Sequence, residues 1–318
     1  MWLDILERQE LVETAYQKGR DLSLNNRIYL SWLDAFFVKE YSDDVGAGDV
    51  TSEAVLTRNT SRKAFLNVKT SGIVAGIDEV SWFLRKHNLT VKANKEDGEE
   101  SLRGETILEV QGGQKDILKT ERIALNVMQR MSGIATETKR LTELLKGYTT
   151  RIAATRKAPL KYLDKKAVFL GGGLTHRFGL WDSILIKDNH LAALKSEGVV
   201  DFVEVAIANA SSFANKVNFI EIEATSHEEA LRAAVAFDAL KLESPCAVML
   251  DNMKPKAIVE VIETLREDSL YDSVLLEASG DITPGNICEY AKTGVDVVSL
   301  GYLTHSVKVL DMSLEMKL

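Results

Sequence analysis

The chain has little of what marks several large protein classes. Its 318 residues include two cysteines, Cys246 and Cys288, both in segments that read as core strand and helix. They are expected to be reduced and inert, as in an intracellular protein, and the expected location is cytoplasmic. Basic residues are outnumbered, 39 Lys and Arg against 47 Asp and Glu, for a net charge of −8. A nucleic-acid binder would carry a basic surface, so that class is disfavoured. A local cluster of Arg and Lys can still bind an anion in an acidic protein. No apolar stretch approaches the roughly 20 residues that span a bilayer. The opening segment, MWLDILERQELVETAYQKGR, has acidic residues throughout its apolar part. It reads as an amphipathic helix and not as a secretory signal. Repeats at solenoid periods and low-complexity tracts are also lacking.

What remains is an ordinary globular composition, 45% hydrophobic and 27% charged, in a chain long enough for two domains. Residues 1 to about 125 read as one α+β unit. Helical patterns fill 1–20 and 27–41, and strand-like runs at 63–69 and 106–110 flank a helix near 78–87, which suggests antiparallel pairing. A helix is predicted over 116–131, interrupted at Ser132-Gly133, with a second helix to residue 146.

From there the rhythm changes. RIAAT (151–155), SILI (183–186), FIEIEA (219–224), AVMLDN (247–252), VLLEAS (274–279) and VDVVSLG (295–301) are short apolar runs, mostly separated by helical patterns. Thr225 and Glu228 are placed as a capping box opening EEALRAAVAFDAL. Strands alternating with helices predict a parallel sheet with crossover helices. Polar residues gather where these strands end: Arg156-Lys157, Lys187-Asp188, Glu221 and Glu223, Asp251-Asn252, Glu277 with Ser279-Gly280, and Gly301. In a (β/α) barrel the C-terminal strand ends share the face that carries the active site. Six strands instead of eight predict an open, incomplete barrel, with 198–210 the one stretch that could hold another element.

Three constellations carry the chemistry. Arg122, Arg156, Lys157, His176, Arg177 and Lys187 form a cationic set suited to a ligand with several carboxylates, or with a carboxylate and phosphates. Each alone could equally make a surface ion pair. Glu223 and Asp251 are carboxylates able to hold Mg²⁺ or to stabilise positive charge on a sugar ring; the plain alternative is pairing with Lys157 or Lys187. Glu221 shares the strand face of Glu223, and its role is open. Ser279-Gly280 and Gly301, followed by Thr304-His305-Ser306, offer backbone N–H groups for a phosphate, or ordinary strand-to-helix turns. His190 and His305 are candidates for catalysis, though a lone histidine is more often a structural hydrogen-bonder.

These residues also carry a resemblance. The blocks DDVGAGDVTSEA, GIVAG, ERIALNVMQRMSGIAT, TRK, GGGLTHRFGLWDSILIKDNH, IEIEA, MLDN, LEASG and TGVDVVSLGYLTHSVKVLDMSL occur in order between residues 30 and 316. Together they resemble the quinolinate phosphoribosyltransferase family. The resemblance implies an α/β fold, with an N-terminal α/β-sandwich domain followed by an open α/β barrel of parallel strands. Domain bounds are expected at 1–125 with an extra N-terminal helix, 126–303 for the barrel, and 304–318 for a segment returning to the first domain. The implied reaction transfers the phosphoribosyl group of phosphoribosyl pyrophosphate (PRPP) to quinolinate with decarboxylation, giving nicotinate mononucleotide, CO₂ and pyrophosphate.

Residue by residue, the resemblance implies that Thr155, Arg156, His176 and Arg177 bind substrate, the last three through the quinolinate carboxylates. Lys157 and Lys187 would contact quinolinate and PRPP. Glu223 and Asp251 would meet the ribose and Mg²⁺, and Ser279, Gly280, Gly301 and His305 would seat the 5′-phosphate. Arg122 would reach the neighbouring subunit's site in a homodimer or higher oligomer. No nucleic acid or membrane is an expected partner. The chain departs from the family pattern after TRK, where APLKYLDKKAV lacks the usual threonine and proline-glycine turn and is shorter. It has Thr175 where asparagine is usual and Asp281 where a second glycine is usual, and residues 1–28 precede the family's usual start. Other readings are a nicotinate-specific transferase, a Schiff-base lyase using Lys187, and a divergent relative with another ligand, such as the barrel proteins found with molybdate transporters.

Overall fold

Each of the six apolar runs folds as a strand of one parallel sheet in the computed structural model, which describes residues 5–317. They are β1 (Arg151–Ala154), β2 (Ile184–Ile186), β3 (Ile220–Ala224), β4 (Cys246–Asp251), β5 (Leu275–Ser279) and β6 (Val297–Leu300). Their order is β1-β6-β5-β4-β3-β2, every pair parallel. Strands covered on both faces read as nearly continuous apolar runs, as β4 and β6 do. Parallel neighbours need crossover connections, supplied by the helices Asp188–Ser196, Phe202–Ser211, His227–Leu240, Pro255–Glu267 and Ile287–Ala291. The expected α/β fold with an open barrel is borne out.

β1 and β2 end the sheet without pairing, which leaves the barrel open. Leu174 fills part of that gap: its N–H donates to Ile152 O at 2.7 Å and its carbonyl accepts from Ala154 at 2.9 Å. The stretch 198–210 adds no strand, since Phe202–Ser211 is helical. The capping box lies one residue later than predicted. Ser226 is extended and accepts from Glu229 N–H, while the Glu229 carboxylate accepts from the Thr225 N–H and hydroxyl. Cys246 and Cys288 are free thiols, and burial pushes Cys246 up to about 12, so it stays protonated at neutral pH.

Two compact units organise the chain. The barrel unit comprises the segment up to Lys18, Leu141–Ala158 and Gly173–His305. The first helix, Ile5–Tyr16, is therefore part of the barrel unit and not of the sandwich. Its buried residues Arg8, Val12, Ala15 and Tyr16 follow helical spacing on one face. Val12, Ala15 and Tyr16 pack on Phe219, Ala247, Leu275 and Val297, at or near the first residues of β3 to β6. The helix thus plugs the N-terminal end of the barrel. Arg8 lies on the same apolar stripe, and its guanidinium forks onto Asp296 at 2.6 and 2.7 Å while donating to the Tyr271 and Val274 carbonyls. That full set of partners is what a buried charge requires.

The second unit comprises Gly19–Arg140, Pro159–Gly172 and the segment from Ser306. Its antiparallel sheet has the order Met312–Lys317, Ser61–Val68, Thr106–Gly113, Thr90–Ala93. The predicted break at Ser132-Gly133 does not occur, because Gln114–Leu144 is one helix. Gly133 serves close approach instead: a Cβ there would stand 2.3 Å from Lys308 O. Ser132 Oγ accepts from Ala75 N–H, so both small residues face neighbouring chain. Among the described residues, no helix is long and apolar enough to cross a membrane.

Candidate active site

The C-terminal ends of the barrel strands surround a cavity of about 590 Å³, and nearly all the sequence-selected polar residues line it. Thr155, Arg156, Lys157, His176, Arg177, Lys187, Glu223, Asp251, Ser279 and Gly280 are brought together there. All belong to the barrel unit.

The turn after β1 is held by its own hydroxyl groups. Thr155 Oγ1 accepts from Lys157 N–H at 3.1 Å, and Thr304 Oγ1 donates to Lys157 O at 2.6 Å. Gly301 packs tightly, since a Cβ would lie 3.0 Å from both Lys157 Cδ and His305 Cδ2 and would make those side chains shift. Gly301 and His305 therefore stand beside Lys157, although neither lines the cavity itself. Arg122 is exposed on the long helix of the other unit and does not line the cavity.

The pairing of Leu174 with β1 delivers the next two residues. His176 adopts the left-handed backbone region at φ +53°, which turns the chain sharply into the site. Arg177 N lies 2.7 Å from His176 Nδ1, and its guanidinium donates to Ser183 O at 3.2 Å. Burial, then the neighbouring Arg156, holds the Arg177 pKa below the usual arginine range. Two guanidinium groups crowded in a partly desolvated cavity favour an anion between them.

Across the cavity, Lys187 at the end of β2 pairs with Glu223 of β3. His190 has a structural task, accepting Lys187 N–H at 2.8 Å to cap the helix that starts there. Asp251 ends β4, and Asn252 donates to its carboxylate at 2.7 Å. Asn252 N–H also donates to Ser279 O at 2.9 Å, which couples the ends of β4 and β5. Gly280 at φ +91° lies so close to Asn252 that an added Cβ would stand 2.2 Å from Asn252 Oδ1. Asp281 follows at φ +45° and lines the cavity. Glu223 and Asp251 are partly exposed hard-oxygen donors on adjacent strands, the donor type that Mg²⁺ takes together with water and phosphate oxygens.

Beside the cavity, a buried cluster joins residues that the sequence offered only singly. Glu221 and Glu277 are both completely buried, and His176 lies between them with Nε2 3.3 Å from Glu221 and 3.1 Å from Glu277. Neither approach has hydrogen-bond geometry, and among the described residues neither Glu277 oxygen accepts a hydrogen bond. Desolvation works against a charged imidazole, but the carboxylates of Glu277 and Glu221 outweigh it and push His176 up to about 9. Burial and the facing Glu277 raise Glu221 to about 7. The signal for Glu277 was faint: a carboxylate inside the apolar run VLLEAS, two residues before Ser279.

Comparison with known proteins follows the same outline. A family model described as "Quinolinate phosphoribosyl transferase, N-terminal domain" matches residues 49–132, and the corresponding C-terminal domain matches residues 134–315. The chain is 39% identical over 278 residues to a probable nicotinate-nucleotide pyrophosphorylase (carboxylating) of Methanothermobacter thermautotrophicus, covering 86% of this chain and 95% of that protein. A protein of the same description from Bacillus subtilis is 37% identical over 290 residues, 90% of this chain and 92% of that one. The solved structure of NadC from Streptococcus pyogenes aligns at a TM-score of 0.78 and 32% identity, covering 90% of this chain and 97% of that chain. Nicotinate-nucleotide pyrophosphorylase from Francisella tularensis aligns at 0.76 and 31%, covering 90% and 96%.

Proposed function

The chain belongs to the quinolinate phosphoribosyltransferase family, and from that premise we propose how its barrel mouth makes nicotinate mononucleotide from quinolinate and PRPP in NAD biosynthesis. The observation that carries the reading is the meeting of Arg156, Lys157, Arg177 and Lys187 with Glu223 and Asp251 around one cavity. A dicarboxylate and a polyphosphate need that much positive charge, and a sugar cation needs the two carboxylates.

Arg156 and Arg177 bind the quinolinate carboxylates and aim the pyridine nitrogen at C1 of PRPP. Holding both substrates in line supplies much of the acceleration. The pyridine nitrogen already carries a lone pair, so no general base is needed. The C1–O bond to pyrophosphate breaks as the N–C1 bond forms, with positive charge developing on the ribose ring. Glu223 and Asp251 stabilise that charge from fixed positions. Lys157 and Lys187 neutralise the phosphates, and Ser279 and Gly280 seat the 5′-phosphate, with Gly301 and His305 packed behind Lys157. Mg²⁺ held by Glu223 and Asp251 would neutralise the departing pyrophosphate. The new pyridinium then withdraws the electron pair of the C2–carboxylate bond, CO₂ leaves, and C2 takes a proton from water.

The enzyme acts in the cytoplasm as a homodimer in which Arg122 reaches the partner's site. Lys187 is paired with Glu223, unlike the desolvated, neutral amine that a Schiff-base lyase uses. The test is mononucleotide formation from PRPP and Mg²⁺ with quinolinate and nicotinate offered in parallel. Turnover of quinolinate supports the reading; turnover of nicotinate alone would replace the substrate.

A further inference from the structure

Tyr16, on the last turn of the first helix, touches His176 and its surroundings in several independent ways. Its hydroxyl donates to Glu221 Oε1 at 3.1 Å. Its carbonyl accepts from His176 N–H at 2.8 Å and from Thr175 Oγ1 at 3.1 Å. Its ring lies 5.0 Å from the His176 ring and 4.9 Å from Phe219. Tyr16 itself is fully buried.

The chain around it is stitched to the same turn. Lys18 N–H donates to Thr175 Oγ1 at 2.9 Å, Gln17 Nε2 donates to Gly173 O at 3.1 Å, and the Lys18 ammonium pairs with Asp182. Asp182 in turn accepts from Phe178 N–H at 2.7 Å. Thr175, where the family resemblance leads one to expect asparagine, thus accepts the end of the first helix. Arg8 fixes the other end of that helix through its fork on Asp296.

Nothing in this arrangement needs a tyrosine hydroxyl for packing alone, since phenylalanine would fill the same apolar space. The hydroxyl satisfies one oxygen of a carboxylate that is otherwise buried and facing a second carboxylate, Glu277. Leaving such a group unsatisfied is costly, and the group would relax by moving. His176 sits between the two carboxylates, with its Nδ1 2.7 Å from the Arg177 backbone nitrogen.

We propose that Tyr16 is a positioning residue for the substrate-carboxylate site, acting through Glu221 and His176 to fix the direction of Arg177. The first helix is then the floor of the active site as well as the plug of the barrel. This rests on the reading that Arg177 binds a quinolinate carboxylate.

The test is steady-state kinetics of Tyr16→Phe with each substrate varied, alongside urea denaturation. Loss of the Tyr16–Glu221 hydrogen bond should raise KM for quinolinate about tenfold, with kcat and KM for PRPP within about twofold. A purely structural role would lower stability, or the active fraction, without separating the two KM values. Glu221→Leu, which removes the acceptor oxygens at similar bulk, carries the same prediction and serves where the Phe variant does not fold. Unchanged kinetics, or an equal rise in both KM values, overturns the proposal. Wild-type protein that fails to turn over quinolinate overturns the functional reading and this inference with it. Active wild type with an indistinguishable Phe variant overturns the inference alone.

Discussion

Replacing Asp281 with glycine should raise both the stability of the protein and its affinity for PRPP. Asp281 is not glycine, yet its backbone sits at φ +45°. A left-handed residue with a Cβ costs about 1–2 kcal/mol, at the lower end for aspartate. Glycine returns about 0.4–1 kcal/mol of that through its freer unfolded chain. The net gain is thus up to about 1 kcal/mol, or about 1–2 °C in Tm for a protein of this size. The carboxylate also lines the cavity directly after Ser279-Gly280. A dianionic phosphate seated on that turn, about 6 Å away in water-like dielectric, would be repelled by about 1 kcal/mol before salt screening. Removing the charge should lower KM for PRPP by about threefold to fivefold. Asp281→Asn separates the two effects, because asparagine tolerates the left-handed region and carries no charge: it should lower KM with little change in Tm. Thermal denaturation and PRPP titration at low ionic strength read both numbers. A glycine variant whose KM for PRPP is unchanged or higher would refute the electrostatic argument, and an unchanged Tm would refute the strain argument.

Other perturbations test other parts of the structure. Arg8→Ala leaves Asp296 buried without its guanidinium partner, and should cost about 3–5 kcal/mol in urea denaturation; a loss under 1 kcal/mol would show that the fork does not anchor the first helix. Gly280→Ala meets both φ +91° and Asn252 Oδ1 at 2.2 Å, so it should lower Tm and weaken PRPP binding together; normal PRPP kinetics would separate this turn from the phosphate site. His176 is raised from its ordinary 6.5 to about 9, so its charged form stabilises the fold fully below pH 6.5 and that contribution disappears as pH rises through 9. The stability advantage of wild type over His176→Gln should therefore shrink between those pH values, and a constant difference would contradict a charged His176.

The barrel was legible because its strands are buried on both faces and so stand out as apolar runs, with functional side chains at one end of each. Within a residue or two, RIAAT, SILI, IEIEA and AVMLDN are strands in the structure. The polar strand ends were legible for the same reason, since Lys187 or Asp251 breaks an apolar run where a barrel core has no use for charge. Local rules failed where distant chain intervened. Ser132-Gly133 looked like a helix break, but the small residues make room for Lys308 and bond to Ala75, which a local window cannot show. Tyr16 was invisible because its partner Glu221 lies 205 residues away. Arg8 read as part of an amphipathic helix, and only Asp296 on the far side of the chain explains its burial. Glu221 and Glu277 were visible as carboxylates in core strands, yet their meeting across His176 depends on how β3, β5 and the Leu174 turn come together.

The central claim is that this cavity binds a pyridine dicarboxylate, joins it to ribose and expels one carboxylate. The most direct measurement supplies quinolinate labelled with ¹³C in the 2-carboxylate, with PRPP and Mg²⁺, and counts labelled CO₂ against mononucleotide. The account predicts one labelled CO₂ for each nicotinate mononucleotide formed. Mononucleotide made from nicotinate but not from quinolinate, or quinolinate consumed without stoichiometric label release, would contradict it.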